Sequence, residues 1–351
     1  MKAAGFIPQA VQPQNRVQSV SGICKDKAVK KKNWKKMKED TFLREAVVAR
    51  SKCLRAIRDY FYRETFIEVE TPAIVNYQCA DPHIETPSVS IRDFAGKRHR
   101  LFLHASPEHS MKKLLVAGFE KIFQIAKVFR DREVSDTHNP EFTLLEWYRV
   151  GADYSALTRD ARALVLSAAD AVLGKTEINY QGKTCDLSGE WKTLTLAEAF
   201  RIYAGENLFS ESADWEDWFF KTLAVEVEPN LGIGNPVFLI DYPRRLGTMA
   251  RPKKDDPQIL ERVELYICGV ELANGYSELT DPIEQRRRFE EAACRQGKRR
   301  KKVDTDLIRA LEAGMPDCAG MAFGLDRLLM LLLDAPSINR VLPFNFASMT
   351  G

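Results

Sequence analysis

The sequence predicts an α+β fold, an antiparallel sheet flanked by helices, over residues 41–351. Three observations carry that prediction. Lys121 to Arg149 and Arg262 to Leu279 each read as two strands joined by a turn, which implies antiparallel pairing. Thr41 to Phe61 and Tyr154 to Leu173 carry apolar residues at helical spacing. Gly320 to Phe323 reads as a strand that runs directly into a Leu- and Met-rich helix from Leu325 onward.

Composition narrows the class. Hydrophobic residues make up 45% and charged residues 29% of 351, ordinary for a soluble globular protein. The 7 cysteines form no CxxC pair and no metal-finger spacing, so they read as reduced thiols of a cytoplasmic protein. No apolar run approaches the ~20 residues of a membrane span, and the N-terminus has no signal-peptide core. A net charge of +3 is too small to argue for nucleic acid.

Residues 1–40 read as a basic, weakly ordered arm: Lys25 to Lys38 holds eight lysines and one aspartate. Such a run is either solvated charge or a contact for an acidic partner. The helix from Thr41, capped by Asp40 or Thr41, has Phe42, Val48, Leu54, Ile57 and Phe61 among its apolar members. A strand follows with Ile67 and Val69 on one face, stopped by Pro72. Leu101 to Ala105 is a further strand, leading to a helix with Ser106 as N-cap, Pro107 at the first position, Glu108 in the first turn and Gly118 at its end.

In the stretch Lys121 to Arg149, alternation puts Phe142, Leu144, Glu146 and Tyr148 on one face of the second strand. Arg130 and His138 lie near the charged loop between the strands. A stacking ring, cations and a carboxylate suit a nucleotide; the same pattern also fits an ordinary amphipathic hairpin. Residues 174–235 are least informative, with short helices near 195–204 and 213–225 and with Trp191, Trp215 and Trp218 as packing residues. Val237 to Asp241 is a strand, and Arg244 to Asp256 a basic loop.

In the second hairpin, a two-residue turn at Cys268-Gly269 makes Glu264 and Glu271 diagonal neighbours, roughly 7–8 Å apart. Carboxylates so placed repel unless a cation lies between them, and Mg²⁺ held with substrate phosphates would fit. Glu278 has the opposite parity to Glu271, so both face one pocket only if the strand bulges, with Asn274-Gly275 as the expected site. Arg286 to Arg288 and Lys298 to Lys302 are cation runs, solvated singly or together attractive to an acidic protein. Arg327 falls in the first turn of its helix, where the dipole disfavours a cation. A bound triphosphate would repair that, and so would a salt bridge to Asp326.

Four segments carry a family resemblance. FRDRE…HNPEFTLLEWYR resembles motif 2 of class II aminoacyl-tRNA synthetases in the lysyl form, GMAFGLDRLL (320–329) resembles motif 3, and VETP (69–72) the end of motif 1. VELANGYSEL (270–279) resembles the amino-acid pocket of lysyl enzymes. Among these, the chain looks most like the short lysyl paralogues that ligate (R)-β-lysine to elongation factor P. The resemblance implies a homodimer that makes an aminoacyl-adenylate from ATP and passes the acyl group to an acceptor. As catalytic residues it implies Arg130 at the α-phosphate and Arg327, with His138, at the γ end. Phe142 would stack on adenine, and Asn139, Glu271, Leu272 and Gly324 would line the nucleotide site. Glu264 and Glu271 would hold Mg²⁺, and Ser106, Glu108, Tyr148, Asn274 and Glu278 the amino acid, with Glu278 on its ε-ammonium. Lysyl enzymes usually read Arg-x-Glu where this chain has Arg132, so Glu133 or the backbone takes the adenine edge. Ala322 stands where tRNA-charging enzymes typically carry glycine, and its methyl would favour a β-amino acid. The forty N-terminal residues are too few for an anticodon-binding OB-fold, so tRNA charging is not expected. The rival reading is a truncated lysyl-tRNA synthetase that activates lysine for tRNA or a small acceptor.

Overall fold

The computed structural model describes residues 33–210, 214–247, 249–295 and 302–350, which belong to one packed unit. Lys25 to Lys32 of the basic arm and residues 298–301 of the second cation run lie outside the described residues.

Helix α1 (Asn33–Glu39) replaces the last part of the expected arm. It leads into α2 (Thr41–Arg63), whose first turn is capped by Asp40 accepting from the Leu43 N–H at 3.2 Å. Then come β1 (Ile67–Glu68), β2 (Ile74–Val75), β3 (Ser88–Arg92), β4 (Arg98–Leu103) and α3 (Glu108–Val116). The first predicted hairpin is β5 (Lys121–Phe129) and β6 (Glu141–Val150), followed by α4 (Tyr154–Leu173) at the predicted bounds. The uninformative stretch holds β7 (Glu177–Tyr180), β8 (Lys183–Asp186), β9 (Lys192–Thr195), α5 (Leu196–Ala199) and α6 (Trp215–Thr222). Its three strands went unforeseen because each is only four residues long. After them come β10 (Val237–Pro243), β11 (Ile259–Ile267), β12 (Val270–Ser277), α7 (Pro282–Arg295), α8 (Thr305–Glu312), β13 (Cys318–Gly324), α9 (Leu325–Leu332) and α10 (Phe346–Thr350).

Eight strands form the central sheet in the order β1-β5-β6-β13-β12-β11-β10-β9. The six inner strands pair antiparallel, as predicted, while β1 and β9 add parallel edges. The turn at Cys268-Gly269 has φ of 54° and 81°, the pair of positive values that a type I′ turn requires.

One face of the sheet is covered by α2, α4 and α9. Phe61 of α2 stacks on Phe123 of β5 at 4.4 Å between ring centroids, and Trp147 of β6 is fully buried beside it. Two carboxylates fasten this layer. Asp160 of α4 accepts from Tyr60 Oη (2.6 Å), Trp147 Nε1 (3.1 Å) and Arg149 Nε (2.7 Å). Asp326 of α9 pairs with Arg50 of α2 and accepts the Thr143 N–H of β6 at 2.7 Å. Asp326 is therefore not the partner of Arg327.

Val48 of α2, one of the helix's expected apolar members, is 57% exposed, and so are Val47 (41%) and Ile67 of β1 (51%). The three tryptophans pack as predicted, Trp191 and Trp215 buried in separate clusters and Trp218 against Trp215. Among the described residues no helix is long and apolar enough to cross a membrane.

Asp326→Ala strands a half-buried guanidinium and an N–H group, and should cost about 3–5 kcal/mol in a denaturant titration. Asp326→Asn, which keeps an acceptor for Thr143, should cost less. An alanine variant as stable as the parent would refute this role.

Candidate active site

Cross-strand register gathers the site on the sheet face opposite α2 and α4. Glu146 of β6, Ala322 of β13, Asn274 of β12 and Glu264 of β11 stand in one row across four strands. The next row is Tyr148, Gly320, Tyr276 and Arg262. A Cβ at residue 320 would lie 2.2 Å from the Tyr148 ring, so only glycine lets that ring lie flat across β13.

Above these rows opens a cleft of about 850 Å³, lined by Arg130, Glu133, His138, Asn139, Phe142, Glu271, Leu272, Asn274, Ala322, Gly324 and Arg327. Most of the residues expected at a nucleotide therefore share one cavity. The Arg130 guanidinium lies 5.1 Å from the centroid of Phe142, and its buried Nε has no hydrogen-bond partner. A buried cation with an unused N–H is suited to an anionic ligand. Arg327 donates to the Glu271 backbone oxygen (2.8 Å) and to its Oε2 (3.2 Å). Its other nitrogen lies 2.7 Å from His138 Nε2. Arginine can only donate, so that Nε2 is an acceptor and the ring proton sits on Nδ1, facing Ser135 Oγ at 2.8 Å. Burial and the charges of Arg327 and Arg130 push His138 down to about 4 and keep it neutral. His138 thus orients Arg327.

One expectation changes here. Arg132 does not join the cleft: its backbone turns to φ 68° at the loop tip, and the exposed side chain pairs with Glu85 at 3.0 Å. Glu133 lines the cleft instead, 3.8 Å from Arg130. Asn139 also has a structural task, with Nδ2 on the Glu141 backbone oxygen (2.6 Å) and Oδ1 taking the Phe346 N–H (2.9 Å).

The bulge exists, but at Leu272 rather than at Asn274-Gly275. Tyr266 pairs with Glu271 and Leu265 with Ala273, so Leu272 is the extra residue. Its position brings Glu271, Asn274, Tyr276 and Glu278 onto one face. Glu264 and Glu271 are thereby on one face as expected, with different surroundings. Glu264 is saturated: Oε1 accepts from Arg262 (2.6 Å) and Asn274 (2.9 Å), and Oε2 from Tyr242 (2.5 Å) and Tyr266 (2.8 Å). Glu271 opens to the cleft. Glu228, which no motif singles out, joins them there, pushed up to about 7 by burial and by the charges of Glu271 and Glu264. Among the described residues no three His, Cys, Asp or Glu side chains stand close enough to hold a metal unaided. A cation shared between Glu271 and substrate phosphates is compatible with that donor set.

The expected amino-acid residues also come together, though none of Ser106, Glu108, Tyr148 or Glu278 lines the open cleft. Ser106 does not occupy the cap position, since α3 starts at Glu108, but its Oγ accepts the Glu108 N–H at 3.0 Å. The same Oγ donates to Glu146 Oε2 (2.5 Å), and Tyr148 Oη donates to Glu146 Oε1 (2.7 Å). Tyr276 Oη donates to Glu108 Oε1. Lys112 Nζ lies 2.6 Å from Glu108 Oε1 and 2.6 Å from Glu278 Oε2. Glu278, expected to await a ligand ammonium, already lies in ion-pair contact with a protein one through Oε2, although neither of its buried oxygens has a hydrogen bond. Burial first, and then the Glu108 charge, push Glu146 up to about 8. Glu278 is likewise pushed up to about 8, burial outweighing the contact with Lys112. Burial would also raise Glu108, but Lys112 and His109 hold it below its usual value.

Sequence reasoning missed Lys112, Tyr276 and Glu228. A signal existed for the first, four residues after Glu108 on a helix, and for the second, at the parity of Asn274 and Glu278. The Arg286 to Arg288 run is not a free cationic surface. Arg286 pairs with Glu312 (2.8 Å), Arg287 with Glu284 (2.8 Å) and Glu291, and buried Arg288 with Glu284 (2.8 Å).

The family model for tRNA synthetases class II (D, K and N) matches residues 26–348. A lysine–tRNA ligase of Moorella thermoacetica is 36% identical over 326 residues, covering 86% of this chain and 65% of that protein. One from Trichormus variabilis is 35% identical over 334 residues, 88% of this chain and 58% of that protein. One from Thiobacillus denitrificans is 36% identical over 327 residues, 86% and 64% of the two chains. This chain thus spans 58–65% of the length of these relatives. With the family model matched from residue 26 to residue 348 and relatives at 35–36% identity, the chain belongs to the class II (D, K and N) tRNA synthetases.

Proposed function

We propose that this protein is an ATP-dependent ligase that activates a lysine-type diamino acid, (R)-β-lysine or lysine, as its adenylate. One observation carries the reading. Buried Glu146 and Glu278 and part-buried Glu108 gather around one resident ammonium, Lys112. With all three ionised the cluster would lack two positive charges, and a diamino acid brings two. Burying unpaired carboxylates is costly, so such a deficit is retained where a ligand fills it.

The substrate carboxylate would attack the α-phosphorus of ATP, forming the acyl-phosphate bond and releasing pyrophosphate. The acceptor amine would then attack the acyl carbon, forming an amide and releasing AMP and a proton. Arg130 would neutralise charge at the α-phosphate, and Arg327, oriented by neutral His138 and by Glu271, at the γ-phosphate. Catalysis would be positioning and charge stabilisation, with no covalent enzyme intermediate. Phe142 would stack on adenine, with Glu133 at its edge. Glu271 would hold Mg²⁺, which would screen the phosphates, and Glu264 would join it by exchanging one of its four donors.

For the acceptor we propose the ε-amino group of a lysine on elongation factor P. Ala322, which stands between Glu146 and Asn274 in the strand register, bears on the amino acid: its methyl would narrow the place of an α-amino group and favour a β-amino acid. A second reading, transfer to tRNA-Lys, is favoured by the names of the relatives. We also propose a homodimer formed through the exposed apolar side of α2 and β1.

Incubated with ATP, Mg²⁺ and (R)-β-lysine, the enzyme should add one β-lysyl mass to elongation factor P and little to tRNA-Lys. An unmodified factor beside efficiently charged tRNA selects the second reading.

Arg327→Ala should lower lysine-dependent ATP–pyrophosphate exchange by roughly 10²–10³ while the thermal midpoint is kept. Retained exchange would overturn its assignment.

Binding should be linked to pH. Glu146 and Glu278, both pushed up to about 8, carry protons at neutral pH and must lose them to receive ammonium groups. KM for the amino acid should therefore rise as pH falls from 8 to 6. Calorimetry at pH 7 in buffers of different ionisation enthalpy should show proton release on binding. A pH-independent KM without proton release rules this linkage out.

A further inference from the structure

We infer that Lys112 is a positioning residue of this pocket: its ammonium holds the Glu108 carboxylate charged, opposes proton uptake by Glu278 and keeps both groups in place, leaving Glu278 Oε1 open to an ammonium of the entering diamino acid. The inference rests on the reading above and adds to it a residue that meets the carboxylates without reacting.

The geometry is that of a fixed cation. Lys112 is 2% exposed, and its Nζ reaches carboxylates from two different elements, Glu108 one turn earlier on α3 and Glu278 just beyond β12. The same ammonium lies 5.5 Å from the Tyr276 ring centroid and 3.6 Å from Met249 Sδ, which limit its side-chain freedom. Burial alone would favour the neutral amine, but two carboxylates at contact distance outweigh it and hold the ammonium charged.

The surroundings supply no substitute. His109 on α3 is turned to Asp304 (3.2 Å), and Lys113 pairs with the same Asp304 (2.8 Å). Arg251, on the loop past Met249, is engaged by Glu261 (2.7 Å) and Asp317 (3.5 Å). Tyr148 and Tyr276 donate to Glu146 and Glu108, and Cys318 of β13 is a buried thiol pushed upward by burial and by Glu278. Without Lys112, Glu108, Glu146 and Glu278 would face one another without a cation. They would retain protons, and Glu278 would lose its ion pair.

Lys112→Met and Lys112→Arg test this, because methionine keeps the unbranched stem without the charge and arginine keeps the charge. In lysine-dependent exchange at pH 7, the Met variant should raise KM by about tenfold or more, and raise it more than it lowers kcat. The pH of minimum KM should move up, and Arg should restore the profile. A space-filling lysine predicts the opposite, with methionine tolerated and arginine harmful, and that outcome overturns the inference.

A second readout needs no substrate. Carboxyl groups whose folded-state values lie above their unfolded ones stabilise the fold at low pH and lose that contribution as pH rises through the folded value. The ligand-free Met variant should therefore lose thermal stability more steeply than the parent between pH 5 and 8, and a parallel loss counts against the role. If the Met variant does not fold, Glu108→Gln combined with Lys112→Met removes the pair together. That variant should fold with a raised KM, and a parental KM overturns the inference. A parent enzyme with no exchange for any diamino acid refutes the proposed function, while the substrate-free comparison still decides the role of Lys112.

Discussion

Placing carboxylates out of water is the constraint around which this molecule is arranged. Each buried carboxylate must find donors or a cation, or keep its proton. Asp160 and Asp326 find theirs in the packed layer, where tyrosine, tryptophan, arginine and a backbone N–H tie α2, α4 and α9 to the sheet. Glu264 is saturated by four donors. Glu108, Glu146 and Glu278 are not balanced, and that imbalance separates a site from a scaffold. The same physics fixes the one face and leaves the other ready for a charged ligand.

The sheet makes this division possible. Alternation along β6 sends Trp147 into the helical layer and Glu146 and Tyr148 to the opposite side. Gly320 gives up its side chain so that the Tyr148 ring can cross β13 toward Glu146. The extra residue at Leu272 then reverses the parity of β12 partway along. Glu271 faces the cleft and Glu278 the Lys112 cluster on one surface. A single inserted residue thus joins two chemistries on one strand.

Neutral His138 plays a comparable part at the other end. Held below its usual value by burial and by two arginines, it accepts from Arg327 instead of repelling it. Arg327 can then stand at the start of α9, against the helix dipole, because Glu271 and the imidazole receive its donors.

Local chemistry was legible in the sequence wherever it follows from period and punctuation. Tyr154 to Leu173, the β5–β6 hairpin, the Cys268-Gly269 turn and the strand-to-helix step at Gly324 all depend on neighbours within a few residues. The clustering of Arg130, His138, Phe142, Glu271 and Arg327 was likewise readable, from motifs on contiguous stretches. Tertiary structure decided what depends on distant partners. Which residue bulges in β12 depends on β11, and whether Val48 is core depends on which side of α2 the sheet covers. The turning of Arg132 to Glu85 joins residues 47 apart in sequence. Lys112 meets Glu278 across 166 residues, a distance over which no period or motif carries information, and only the fold could bring those two charges to 2.6 Å.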